Sequence, residues 1–401
     1  MASWLAFPDI IAVHVVSALF FKETDSGFEV SMAYKGYLGQ PYFASLNGLR
    51  FFCILAVLWH HSPVNQLIKS PQLLDRGFAG VDFFFVLSGF LITTLLLREE
   101  RLTGRISLAG FYSRRALRIL PAYLLLVTLV SVYWIGIKGQ DLLGLVPYYY
   151  TFLANFLKDD ISLLSVTWSL SVEEQYYMLW PALLIVMPLS TRLRAGVLAG
   201  LIGLFLLTML GLADWLDLPR LETAYAIFRL PGMSYTAILS GSLVAVLLHD
   251  PAGFRWLWRI CAWRGAPLAL FAGLLLYLQV TPGSLLGWPA LGMNMLMALC
   301  VASIAMREDH ELRPVLTFAP VARVGEISYG LYLYHLIGLH IANAMVSRSG
   351  LAQWQAAWAV TLVYPVISIA LAEASFRGFE RYFLLLRSRS ASCAPKAAAN
   401  R

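Results

Sequence analysis

The chain has 401 residues, of which 59% are hydrophobic and 13% charged, with a formal net charge of +7 at pH 7. Soluble domains carry about 25% charged residues, so this composition excludes a soluble globular protein and implies an all-α, polytopic membrane protein embedded in a lipid bilayer. In such a chain the positive balance is read loop by loop as orientation and not as a nucleic-acid surface. Cys53, Cys261, Cys300 and Cys393 have neither metal-ligand nor disulfide-framework spacing, so no metal is expected.

Residues 1–44 read as an N-terminal arm with Met32 as an alternative start, because Ile10 to Phe21 is too short to cross the bilayer and is followed by Lys22, Glu23 and Asp25. Apolar runs then predict ten spans, near residues 46–67, 78–97, 117–137, 172–189, 195–212, 228–249, 267–281, 285–306, 325–347 and 355–378. Leu142 to Leu157, shorter and carrying Pro147 and three consecutive tyrosines, reads as interfacial or re-entrant. With the N-terminus inside, the segments after the second, fourth, sixth and eighth spans and the tail hold most of the Lys and Arg, and each outside loop holds two or fewer. An eleventh crossing would destroy that asymmetry, so both termini are expected in the cytoplasm. Residues 384–401 are expected to be a basic, disordered tail. No internal repeat is apparent, which counts against an inverted-repeat transporter.

In the first span, Arg50 and His61 are eleven residues apart and fall within roughly 20° of one helical face, separated by roughly 16 Å. His60 points about 80° away. This places Arg50 at the cytoplasmic mouth and His61 deep in the membrane, where an ionisable group suggests function. Asp82, near the outer end of the second span, is expected at a similar depth, either orienting the His61 imidazole or capping its own helix. The loop that follows brings Arg114, Arg115 and Arg118 to the start of the third span. Their spacing suits phosphate oxygens, although positive-inside topology and anionic headgroups select the same residues.

The fourth span opens TWSLSVEEQYY. Ser171 and Glu174 read as a capping box, and Glu173 and Gln175 lie on other faces at the outer side, placed for acceptor hydroxyls. Trp168, Tyr176 and Tyr177 suit a sugar ring or an interfacial aromatic belt. In the ninth span, ISYGLYLYHLI sets Ser328, Tyr332 and His335 on one face near mid-depth, lining a cavity or bonding between helices.

Together LNGLRFFCILAVLWHH, GVDFFFVLSGFLIT, FYSRRALRILP, TWSLSVEEQYY and ISYGLYLYHL, in this order from about Ser45 to about Phe383, resemble the acyltransferase-3 family of integral membrane O-acyltransferases. The resemblance implies transfer of an acyl group, usually acetyl, from cytoplasmic acyl-CoA to a hydroxyl of a carbohydrate or lipid-linked sugar acceptor. It implies a multi-pass protein of the bacterial inner (plasma) membrane with no bound cofactor. The family pattern puts its essential arginine at Arg50, its essential histidine at His61 and its cytoplasmic arginine pair at Arg115 and Arg118. Glu173 and Gln175 match its E-x-Q positions. His60 stands where the family commonly shows an aromatic or apolar residue, and Asn47 where Asp is common. Some relatives add an SGNH-type domain, which is not expected here.

The expected mechanism has CoA phosphates on Arg115 and Arg118 and the thioester reaching past Arg50 to His61. There His61 acts as general base or transient acyl carrier, oriented by Asp82. Acceptor contacts are assigned to Glu173, Gln175, Trp168, Tyr332 and His335. Exopolysaccharide or lipopolysaccharide is the leading acceptor and a small natural product such as a macrolide the alternative. A proton-coupled transporter also accounts for mid-membrane ionisable groups, but not for a phosphate-suited loop beside a histidine-bearing span.

Overall fold

A backbone in hydrocarbon must satisfy its own polar groups, and helices do so within one segment. In this computed structural model, which describes residues 27–68, 71–187, 190–218, 220–228 and 232–392, every one of the ten stretches expected to span carries a helix. In chain order the main helices are α1 (Gly27–Gly39), α2 (Ser45–His60), α3 (Ala79–Thr103), α4 (Leu108–Ser131), α5 (Thr167–Val186), α6 (Thr191–Met209) and α7 (Met233–His249). They continue with α8 (Pro251–Cys261), α9 (Ala266–Val280), α10 (Trp288–Met306), α11 (Ala319–Glu326), α12 (Ser328–Val346), α13 (Gln353–Ser375) and α14 (Arg381–Ser392). A two-residue antiparallel ladder pairs Leu221 with Phe228 and Glu222 with Ile227.

Five helical segments are long and apolar enough to cross a membrane: α3, α4 with its continuation to Ile137, α6, α10, and α13 with its continuation to Leu386. The pair α7 and α8, bent by 110°, makes a sixth if counted as one broken span, and α2 and α9 are shorter apolar helices. Leu142 to Leu157 forms only short helical turns, folded inward so that Tyr149 is fully buried and its carbonyl accepts from Tyr123 Oη at 2.7 Å.

Residues 27–44 and 384–392 carry more helix than the sequence suggests. Val30, Tyr37 and Phe43 of the expected arm are buried, Tyr34 Oη donates to His249 O at 2.7 Å, and Arg98 donates to Tyr37 O at 3.0 Å. Apolar side chains and paired carbonyls therefore tie α1 to the bundle. Toward the other end α14 is helical through Ser392, with Phe383 beside the apolar face of α4, so the helix extends over residues 384–392 of the expected tail. Residues 1–26, including Ile10 to Phe21, and residues 393–401 lie outside the described residues.

Two hydrophobic clusters divide the interior. One is built around α3, α7 and α10, the other around α4, α12 and α13. The first depends on a close crossing of α3 and α7, where a Cβ on Gly89 would run into Ile238 O and a Cβ on Gly241 into Val86 O. Small residues let helix backbones approach in this way, and dispersion contacts between the helices accumulate at short range. Replacing Gly241 by Val should therefore destabilise the purified protein by about 3 kcal/mol or more, whereas Gly196→Ala, with open space around its Cβ position, should leave the melting temperature unchanged. Thermal unfolding in detergent measures the difference.

Candidate functional site

The chemistry-bearing end of α2 is set by Ser62-Pro63. Proline disfavours the α conformation in the residue before it, and Ser62 is extended (φ −71°, ψ 141°), with its Oγ accepting from Asn65 N at 3.2 Å to cap the short helix Pro63–Leu67. The first span therefore breaks, and His61 sits at the C-terminal cap of α2 instead of inside a continuous helix from 46 to 67. The carbonyls left open by the break are satisfied: Val57 O accepts from His61 N, Trp59 O from Ser62 N, and Leu58 O from Tyr364 Oη of α13.

His61 Nδ1 lies 3.0 Å from Val57 O, and a carbonyl only accepts, so Nδ1 carries the hydrogen and Nε2 the lone pair of the neutral ring. His335 is locked in the same tautomer by Tyr332 O at 2.7 Å. The two imidazoles meet with ring centroids 4.9 Å apart at 63°. His60 turns to the segment that follows α2, its Nδ1 donating to Asp75 O at 3.2 Å, in line with the helical-face argument.

Side chains of α2, α3, α4, α5 and α12 line a cavity of about 100 Å³. Arg50, Arg115 and Arg118 line it with Glu173, Ser88 and Tyr332. Glu173 accepts from Ser88 Oγ at 2.8 Å and from Tyr177 Oη at 3.1 Å. Arg115 stands over the rings of Phe111 and Tyr177, at 5.7 and 5.5 Å from their centroids. Tyr332 joins the two regions: its side chain lines the cavity, its Oη bonds with Ser169 Oγ at 2.7 Å, and its carbonyl holds His335.

Other expected positions are placed differently. Arg50 shares one cavity with Arg115 and Arg118. Glu173, expected at the outer side, joins the same arginines, because six residues into α5 it is roughly 9 Å below the helix start. Arg114, one residue from Arg115 and so about 100° around the helix, leaves the cavity and pairs with Glu99 at 3.1 Å. Asp82 is buried in the first turn of α3 and makes no hydrogen bond to His61 among the described residues; the His61 nitrogen it was expected to hold is already used by Val57. Gln175 is fully occupied, donating to Phe152 O and Asn155 Oδ1, each at 2.8 Å, and accepting from Tyr235 Oη. Trp168 is exposed against Phe85 and does not line the cavity.

Ser171 and Glu174 form no capping box. The helix begins at Thr167, and Ser171 lies inside it, donating to Thr167 O and accepting from Ala154 N. Ser88, Ser169 and Tyr329 line the cavity and were missed in the sequence reading. A lone serine in the apolar run of α3 was the available signal. Among the described residues no group of three His, Cys, Asp or Glu side chains could hold a metal ion.

Comparison with known proteins places this constellation in context. The acyltransferase domain model of the acyltransferase-3 family matches residues 43–373. The chain is 26% identical over 379 residues to the peptidoglycan O-acetyltransferase OatA of Listeria monocytogenes, covering 86% of this chain and 57% of that protein. It is 34% identical over 153 residues to the O-acetyltransferase OatA of Staphylococcus aureus, covering 35% of this chain and 24% of that one. The chain thus spans little more than half the length of the first relative and less of the second. No solved structure matches.

The Gln175 network holds Phe152 in a left-handed conformation (φ 56°), stacked on Tyr123 at 4.4 Å. That backbone is strained for a residue with a side chain. Gln175→Leu should cost about 2 kcal/mol of stability through the unpaired Phe152 carbonyl and Tyr235 hydroxyl. The check is thermal unfolding of that variant beside Trp168→Ala, which should lose little.

Proposed function

The chain belongs to the acyltransferase-3 family, and from that premise we propose that it is a membrane O-acetyltransferase moving an acetyl group from cytoplasmic acetyl-CoA to a hydroxyl of a cell-envelope glycan. The observation that carries this reading is a single small cavity lined by three guanidinium groups and one carboxylate and joined through Tyr332 to a histidine pair. Guanidinium groups that face a cavity in a low-dielectric interior suit an anionic ligand. The proposed topology has ten spans with both termini cytoplasmic in the plasma membrane. It puts the start of α4 at the cytoplasmic face, with Arg118 roughly 15 Å in at 1.5 Å per residue.

A cavity of about 100 Å³ is smaller than the roughly 300–1,000 Å³ that encloses a drug-sized ligand. It takes a phosphate or the thioester end of the donor, and the rest of the CoA lies outside it. Arg115 and Arg118 hold donor phosphate, with Arg50 as the third charge on the same anion. His61, with Nδ1–H fixed on Val57 O, offers Nε2 as general base to the acceptor hydroxyl. The acceptor oxygen bonds to the acyl carbon, the C–S bond breaks, and the hydroxyl hydrogen passes through the imidazole to sulfur. The Listeria relative is named for peptidoglycan, and that name is the support for a glycan acceptor over a macrolide.

The test is transfer of radiolabelled acetyl from acetyl-CoA into envelope glycan by membranes containing each variant. His61→Ala should lose at least about 10²-fold in rate, while His60→Ala retains most of it; equal losses would overturn the choice between the two rings. Arg118→Ala should raise the donor KM about tenfold through a lost charge-assisted contact, whereas Arg114→Ala, paired outside the cavity, should change it less than about twofold. No label from folded wild type would overturn the reading.

A further inference from the structure

His335 is fully buried, and with Nδ1 bound to Tyr332 O its Nε2 has no hydrogen-bond partner among the described residues. Burying a bare nitrogen costs free energy that a leucine of similar bulk would avoid. The Tyr332 carbonyl lies within α12 and has the helix's own N–H as a partner, so the His335 bond is not needed to satisfy it. The neighbour across from His335 is His61, with the same tautomer and likewise no partner on Nε2 among the described residues. Asp82, the group expected to support His61, makes no bond to it.

We propose that His335 is the positioning partner of His61, and that the two imidazoles together hold the proton taken from the acceptor. This rests on His61 being the base of the proposed reaction. Two lone pairs on adjacent neutral rings accommodate one added proton as an imidazole–imidazolium pair. That spreads a charge which a lone buried imidazolium would concentrate in a medium of low dielectric. The step balances: as the acceptor oxygen bonds to the acyl carbon its hydrogen moves to His61 Nε2, the C–S bond breaks, and the proton leaves the pair for the departing thiolate. Both rings end neutral. Because the Tyr332 side chain lines the arginine cavity while its carbonyl fixes His335, seating the donor and setting the ring are coupled through one residue.

The experiment compares purified wild type, His61→Ala, His335→Leu and His335→Gln, with folding checked by thermal unfolding. Acetyl transfer from acetyl-CoA to glycan supplies kcat and donor KM. His335→Leu should lower kcat about 10²-fold with donor KM within about twofold, and His335→Gln, which keeps an acceptor oxygen, should recover about tenfold of that loss. A Leu variant as fast as wild type, or a Gln variant as slow as a folded Leu variant, would overturn the proposal. Nitrogen-15 NMR of histidine-labelled protein gives a readout independent of activity, and of whether the Leu variant folds. The His61 imidazole signals should shift in His335→Gln, and unshifted signals would overturn the pairing. An active His61→Ala would overturn the reading of His61 itself, a different outcome from any of these.

Discussion

Three guanidinium groups around one cavity inside an apolar bundle are the constraint on which the rest of this structure depends. Each charge taken out of water costs several kcal/mol unless opposite charge and hydrogen bonds replace the solvent, and Glu173 is the only carboxylate lining the cavity. The surrounding helices supply what else they can. Ser88 and Tyr177 donate to Glu173, and Phe111 and Tyr177 present ring faces to Arg115. Glu174 and Glu380 lie close enough to Arg115 and Arg118 to offset part of that charge, and the guanidinium groups at the cavity wall suit an anion. A ligand that brings phosphates would stabilise the occupied state over the empty one by its own binding energy.

The cavity and the histidine pair are linked through α12, which contributes Ser328, Tyr329 and Tyr332 to the first and His335 to the second. The hydroxyl of Tyr332 is fixed by Ser169 and Val166 near the start of α5, so the helix cannot rotate at this point without breaking those bonds. On the opposite side, α13 braces the break in the first span: Tyr364 reaches Leu58 O, and Thr361 Oγ1 accepts from Val64 N at 3.4 Å. His61 is therefore held by a cap of its own helix and by two later helices.

This precision rests on close helix approach elsewhere. The contact of Gly89 with Ile238 and of Gly241 with Val86 sets the spacing of α3 against α7, and α3 carries Val81, Phe84, Phe85 and Ser88 into the cavity wall. Gly325 approaches Asn47 O in the same way, which seats α11 against the beginning of α2 just ahead of Arg50. Both crossings use the absence of a side chain to bring charged or polar positions of separate helices within reach.

The helices were legible from the amino-acid order because hydrophobic length and period are local properties, and each expected span does carry a helix. Arg50, His61, Arg115, Arg118, Glu173, Tyr332 and His335 stood out because an ionisable or hydroxyl-bearing side chain in hydrocarbon is costly wherever it sits. The break at Ser62-Pro63, which stops α2 at His60, was passed over because the apolar run continues across it to residue 67. Which side chains meet was not legible, since the faces of helices distant in sequence are matched only by packing. Tertiary structure alone decided that Glu173 joins the arginines, that Arg114 leaves them for Glu99, that Gln175 is consumed by Phe152, Asn155 and Tyr235, and that the neighbour of His61 is His335 and not Asp82.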